Sequence, residues 1–351
     1  MQGILDLSPE LEPIGVVLAE RLLGVQARFD RQLESDLPPV RDLCRHVERY
    51  RGKMLRPTLA LLCGMAADDR AGVPMGERVG EAHEMVGAVC EMVHMATLVH
   101  DDVLDDADVR RRGETVNRLH GNEAAVILGD YLIASAYHLC SRIDSHTALA
   151  VARASAVMCA GELLQLHHRD DYSLDEPTYF EIVERKTAAL IAVACELGAH
   201  HALGSATKDE QRRRETAAAF AAFGRAVGVA FQIQDDVLDL TGEEAVVGKS
   251  LHKDLEKGKL TLPVIHHLAA ADERTRGRTL RLLESVTQGH ATADSVQALA
   301  RTLKDTRSLD HARTTAERYI ATAKAALGTI APGPARRVLE LLADAVVTRD
   351  Q

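Results

Sequence analysis

The pentapeptide Asp-Asp-Val-Leu-Asp occurs twice, at 101–105 and at 235–239, 134 residues apart. On a helix the first and fifth aspartates of each copy (Asp101 with Asp105, Asp235 with Asp239) share one face, and the second (Asp102, Asp236) lies beside the fifth. Carboxylates at that spacing oppose the helix that carries them, so each cluster calls for a compensating cation. A charge run is most often a solvated face, but Met92–Val99 before the first copy and Val227–Ile233 before the second have the composition of buried helices. Oxygen-only donors of this density suit a hard divalent ion such as Mg²⁺, not zinc. Mg²⁺ held by carboxylates completes its shell with waters and phosphates. Two such sets brought face to face would clamp a polyphosphate.

A polyphosphate also needs cationic donors. The chain has only nine Lys against 33 Arg, and six of the nine fall in compact segments. Lys53 and Arg56 stand three apart in Gly52–Pro57, and Arg110, Arg111 and Arg112 follow the first acidic cluster. Lys186-Thr187 sits in an apolar helical context, and Lys249, Lys253, Lys257 and Lys259 follow the second cluster. Retained Lys in an Arg-rich chain suggests a need for compact point charges. For Lys253 and Lys257 surface solvation is an equal reading. Gly248-Lys249-Ser250 lacks the earlier glycine and preceding strand of a nucleotide-binding P-loop.

The elements that must position these groups are helical. Residues 75–176 and 178–262 contain no proline and are rich in helix formers. Val86–Val99 is apolar on nearly every face, as in a central helix. The tail, 311–346, has the spacing of a peripheral amphipathic helix, and no strand run with hairpin signals stands out. Breaks fall at Pro38-Pro39 and around 67–74, 170–177, 205–209, 241–259 and 332–334, none with the character of an interdomain linker. The expected architecture is all-α: one domain over 1–351, with its motif core at about 50–265 and C-terminal helices to about 346.

Composition excludes other classes. A formal charge of −10 and 3% aromatics, without Trp, weigh against nucleic-acid binding. The six Cys are scattered without a CxxC pair, as buried free thiols in a reducing compartment would be. No secretory signal or stretch fit to span a bilayer stands out, and a cytoplasmic location is expected.

With these segments in order the chain resembles the trans-isoprenyl diphosphate synthases, the polyprenyl synthetase family. The resemblance covers about residues 50–265. It rests on Gly52–Pro57 (Gly-Lys-x-x-Arg-Pro), His94 seven residues before the first aspartate, both aspartate motifs, the arginines, Gly129–Leu132, Lys186-Thr187, Phe231-Gln232 and Gly258–Pro263. It implies a single all-α bundle of many helices around a deep central cavity, usually a homodimer. It further implies that Asp101, Asp105 and Asp235, supported by Asp102, Asp236 and Asp239, hold Mg²⁺, three ions in all, on the diphosphate of an allylic substrate. Lys186, Arg110, Lys249 and Lys259 complete that clamp, with Thr187 and Gln232 nearby. Lys53, Arg56, His94 and Arg111 bind the diphosphate of isopentenyl diphosphate. Three arginines stand where the family usually has two, which keeps Arg112 as an alternative to Arg110 or Arg111. Peripheral membrane contact is expected for product release only.

The implied reaction is ionisation of the allylic C–O bond, attack by the isopentenyl double bond, and proton loss to the departing diphosphate. No side-chain base is needed. Without the resemblance His94, like His100 and His167-His168, reads as a hydrogen-bonded core histidine, and Glu91 as its helical neighbour. Thr97, Ala96 and Val93 before Asp101, and Ala134, Ser135 and Ala136 on the next helix, offer no bulky aromatic floor. A long product of roughly C30 to C40 is expected from so open a cavity, with a geranylgeranyl or farnesyl diphosphate synthase as the alternative. A non-catalytic subunit would have eroded aspartate motifs, and a cyclase would favour an aromatic lining.

Overall fold

The computed structural model describes residues 8–68, 70, 72–111, 113–206, 208–241, 253–288, 290 and 293–348. Nearly all of them are helical, and they group into two compact units, neither continuous in sequence. The first comprises Met1–Ala156, Leu190–Gly224 and Ala325–Leu342; the second comprises Val157–Ala189, Arg225–Lys324 and Ala343–Gln351.

The first unit is built around α4 (Glu81–Leu104), against which α1 (Glu12–Gln32), α3 (Leu55–Ala67) and α5 (Val116–Cys140) pack. As its all-round apolar sequence requires, α4 is buried on almost every side, including Val93, Ala96 and Val99. Its start is fixed locally: the Gly80 N–H donates to His83 Nδ1 at 3.2 Å. Arg21 and Arg28 of α1 reach the buried Glu84 carboxylate at 3.0 Å each. Helix α2 (Pro38–Glu48) begins on the proline pair, where a missing N–H costs nothing. After α4, β1 (Val109–Arg110) and β2 (Gly113–Glu114) form a short antiparallel hairpin in which Arg110 pairs with Gly113. Arg111 adopts φ 47° in its two-residue loop, the positive φ that such loops demand. Two residues are too few for an alternating pattern to be visible in sequence.

In the second unit α7 (Glu176–Val183) runs into a π-helical turn, Glu184–Ala188, before α8 (Ala189–Ala206). Asp175 caps α7 by accepting from the Thr178 N–H at 2.9 Å. Helix α6 (Ser145–His167) and α9 (Glu210–Thr241) each contribute to both units. The tail is two helices, Ser308–Ala326 and Pro334–Thr348, rather than one peripheral helix. Each buries apolar side chains, such as Ile320 and Leu339.

Five of the six cysteines are buried and Cys159 is exposed; none forms a disulfide. The expectation about bilayer-length segments is corrected. By length and composition, Ser145–His167, Glu176–Gly204 and Glu210–Thr241 are long and apolar enough to cross a membrane. The fold buries 67% and 56% of the apolar windows in the latter two, so their apolarity serves the core, but only 28% of the window in α6. Charges are sparse there because Ala, Val and Leu fill α6, with Arg153 and Glu162 as its only Asp, Glu, Lys or Arg residues. Leu149, Ala152, Ala156, Cys159 and Leu163 are exposed, an alternating three-four spacing that draws one apolar seam along the helix.

Candidate active site

The first aspartate motif ends α4. Asp101 and Asp102 lie in the last turn, Asp105 is the C-cap, and its N–H donates to Asp101 O at 2.8 Å. The second motif occupies the last turns of α9. Neither helix has a basic residue in its final turn. Carboxylates at the negative end of a helix are electrostatically uphill. Both copies therefore stand where a cation would relieve them.

Within each copy the middle aspartate differs from its neighbours. Asp102 and Asp236 are buried, whereas Asp101, Asp105, Asp235 and Asp239 are half-buried. Asp102 Oδ1 accepts from Arg110 Nε at 2.8 Å and Nη2 at 2.7 Å. Asn117 Nδ2 donates to the Asp102 and Ala107 carbonyls, holding the chain that leaves the motif. The Asp236 carboxylate accepts from Gln232 Nε2 at 2.9 Å and the Tyr179 hydroxyl at 2.5 Å. Burial and the nearby Asp254 carboxylate push Asp236 well above the usual range, while these two hydrogen bonds pull it back. Among the described residues no three His, Cys, Asp or Glu side chains form a ready metal cage. The all-oxygen donors at i and i+4 fit a hard divalent ion that takes one or two carboxylates and draws its other ligands from substrate and water.

Lys53, Arg56, His94 and Arg111 belong to the first unit. Lys53 is exposed, and Arg56 and His94 are half-buried. The Arg111 guanidinium lies against the backbone of Gly52, where any Cβ would collide with it, so the hairpin loop meets the Gly-Lys-x-x-Arg-Pro segment. Between them lies Glu91, only 2% exposed. Burial raises its carboxyl pKa, opposed by Arg56, Arg111 and Arg51. Burial together with Arg56, Arg111 and Arg110 holds His94 well below the usual imidazole range, hence neutral near pH 7. Glu91 thus sets a buried carboxyl among three arginines, a placement that its spacing to His94 alone did not signal.

In the second unit Lys186 and Thr187 lie in the π-turn. Gly161 of α6 makes room for it: a Cβ there would sit 2.7 Å from the Lys186 backbone nitrogen. Lys186 pairs with Glu162 and donates to Gln165 Oε1 at 2.9 Å. Thr187 Oγ1 donates to Gln232 Oε1 at 2.9 Å. Lys186, Thr187, Gln232, Asp236, Lys259 and Tyr179 line one cavity of about 90 Å³. Lys259 is held in place by its N–H to Asp254 O at 2.8 Å. Glu162, Gln165 and Tyr179 were not singled out in sequence, although the first two stand near the level of Lys186 on an adjacent helix. Lys249 and Arg112 lie outside the described residues. Ala134 is exposed, whereas Ser135 and Ala136 are buried.

This geometry is accompanied by extended similarity to known proteins. The octaprenyl diphosphate synthase of Escherichia coli (strain K12) is 31% identical over 342 residues, 97% of this chain and 99% of its own length. A short chain isoprenyl diphosphate synthase of Methanothermobacter thermautotrophicus is 33% identical over 327 residues, 91% and 94% of the two lengths. The crystal structure of a polyprenyl synthase from Caulobacter crescentus CB15, complexed with calcium and isoprenyl diphosphate, superposes with a TM-score of 0.84 at 29% identity, covering 99% of this chain and 100% of that one. The sequence profile of polyprenyl synthetase matches residues 38–303. The chain belongs to the polyprenyl synthetase family.

Proposed function

We propose that the protein is a divalent-metal-dependent trans-prenyltransferase that condenses isopentenyl diphosphate with an allylic diphosphate to make a long all-trans polyprenyl diphosphate, of a kind suited to quinone side chains. The observation that carries this reading is the placement of both aspartate pentads at helix C-termini with no basic residue in the final turn. Metal ions, three Mg²⁺ in the working enzyme, supply charge neutralisation for the leaving diphosphate. The Caulobacter crescentus protein, solved with calcium and isoprenyl diphosphate, supports a divalent ion of this class.

The residues take their tasks by unit. In the first, Asp101 and Asp105 hold metal, with Asp102 fixed by Arg110 as their support. Lys53, Arg56, Arg111 and neutral His94 bind the isopentenyl diphosphate. In the second, Asp235 and Asp239 hold metal with Asp236 beside them, while Lys186, Thr187, Gln232 and Lys259 orient the allylic diphosphate. Lys249 is assigned to the same group on its sequence motif. The allylic C–O bond ionises, its electron pair leaving with the diphosphate. The isopentenyl π-bond then attacks the cation, and the proton released passes to the diphosphate.

The long product is favoured by the small side chains Ala96 and Val93 in α4, as well as by the resemblance in length and sequence to an octaprenyl diphosphate synthase. The decisive experiment is incubation with Mg²⁺, isopentenyl diphosphate and farnesyl diphosphate, followed by chain-length analysis. Extension by several isoprene units supports the reading. Extension by one unit selects the geranylgeranyl alternative, and no elongation overturns both.

The exposed apolar seam of α6 supports a homodimer, with a second copy of the chain covering it. Leu163→Arg would then yield monomers by light scattering, and an unchanged mass would count against this face. The working location in this reading is the cytoplasm, where soluble diphosphates are supplied.

A further inference from the structure

We infer that Tyr179 is a positioning residue for the second aspartate motif, acting through Asp236; the inference rests on the prenyltransferase reading of that motif. Tyr179 lies in α7, outside every motif apparent in sequence, and is 4% exposed. Its hydroxyl donates to Asp236 Oδ2 at 2.5 Å, while Gln232 Nε2 donates to Asp236 Oδ1 at 2.9 Å. Gln232 in turn accepts from Thr187 Oγ1 at 2.9 Å. One continuous hydrogen-bonded chain therefore runs Thr187, Gln232, Asp236, Tyr179, joining the π-turn to the aspartate motif and ending on α7.

The chain has a mechanical consequence. A carboxyl group held on both oxygens by donors from two elements keeps one rotamer. Asp236 is one residue after Asp235 and three before Asp239, on the same helical turn. Fixing it fixes the direction in which the two flanking carboxylates present their oxygens. The phenol is suited to this task because its hydroxyl reaches Asp236 Oδ2 from a separate helix and so ties α7 to the motif. The ring packs edge-on to Phe180 at 5.4 Å. A phenylalanine would satisfy that contact equally well, so the hydroxyl alone distinguishes an orienting role from core filling.

The test compares wild type, Tyr179→Phe and Tyr319→Phe, the last removing a hydroxyl from the neighbouring ring that packs on Phe180 at 5.8 Å. Elongation by wild type is established first; if it fails, the functional reading fails and not this inference alone. Tyr179→Phe is expected to raise the Mg²⁺ concentration for half-maximal activity by roughly tenfold, the scale seen when an outer partner of a metal ligand is lost. Calorimetry with Mg²⁺ and an unreactive allylic thiolodiphosphate should show a matching loss of affinity. The KM for isopentenyl diphosphate and the behaviour of Tyr319→Phe should stay at wild-type values. A wild-type Mg²⁺ midpoint and analogue affinity in Tyr179→Phe overturn the inference, as does an equal loss in Tyr319→Phe. Should Tyr179→Phe fail to fold, Tyr179→3-fluorotyrosine keeps the ring and the donor. Its ¹⁹F resonance should move when Mg²⁺ and the analogue are added together, and an unmoved resonance overturns the inference.

Discussion

Arg110 grips Asp102 through two nitrogens on a single carboxylate oxygen, Nε at 2.8 Å and Nη2 at 2.7 Å. Asp102 is only 1% exposed. Removing one partner of a buried ion pair strands the other, at a cost of about 3–5 kcal/mol. Arg110→Ala should therefore lower stability on that scale in urea unfolding, in addition to its effect on turnover. A stability loss below about 1 kcal/mol would place the pair among surface bridges instead.

Gly52 tests the basic cluster without touching a charge. A methyl group there collides with the Arg111 guanidinium. Because the far end of a flexible side chain can swing away, Gly52→Ala should fold normally. It should raise the KM for isopentenyl diphosphate by about tenfold, the value of one charge-assisted hydrogen bond, and leave the allylic KM unchanged. Equal changes in both constants would argue against the assignment of Arg111.

Asp105 caps the negative end of α4. Asp105→Asn should stabilise the metal-free protein by about 0.3–1 kcal/mol while abolishing most of the Mg²⁺-dependent activity. Thermal unfolding in a chelator, set beside an elongation assay, reads the two effects separately. A variant that is less stable without metal would show that the carboxylate serves the fold.

His83 gives the pH dependence. It is 4% exposed, accepts from the Gly80 N–H at Nδ1, and meets Gly198 O through Nε2 at 3.1 Å. Protonation of Nδ1 would break the cap of α4. Burial and the neighbouring His201 lower its pKa to about 4, against about 6.5 for a free imidazole. Between those values the unfolded chain binds more protons than the folded one. Stability should hold steady above about pH 6.5 and fall as pH drops toward 4, by up to about 1.4 kcal/mol per pH unit from this group. His83→Gln should flatten the fall in urea midpoints between about pH 7 and about pH 5, and an unchanged slope would assign it to other groups.

Ala96 tests product length. It is fully buried in α4, one turn and a residue before Asp101. Ala96→Phe should shorten the product visible on radio-TLC. The same chain length with an intact fold would mean that the hydrocarbon runs elsewhere.

The aspartate pairs stand out in sequence because their chemistry depends on spacing along one helix, whereas His94 and the role of Lys186-Thr187 stand out only through the family resemblance. The central burial of α4 followed from its unbroken apolar character. Tyr179, Glu162 and Glu91 were not legible as site residues, since each draws its meaning from a partner distant in sequence or from burial among charges. A tyrosine in α7 carries no sign that its hydroxyl meets a residue 57 positions later. The hairpin at 109–114 is silent in sequence because two paired residues per strand leave no period, whereas the proline break at 332–334 does mark where the second tail helix begins.

The π-turn at Glu184–Ala188 gives this site an angular vulnerability. Each helical residue advances the side-chain direction by about 100°, and a π-turn takes up one residue beyond the regular count. Deleting a single residue there would shorten the protein hardly at all. It would act as a twist, turning Lys186 and Thr187 out of phase with Glu162, Gln165 and Gln232 while every side chain needed for the reaction was still in the chain.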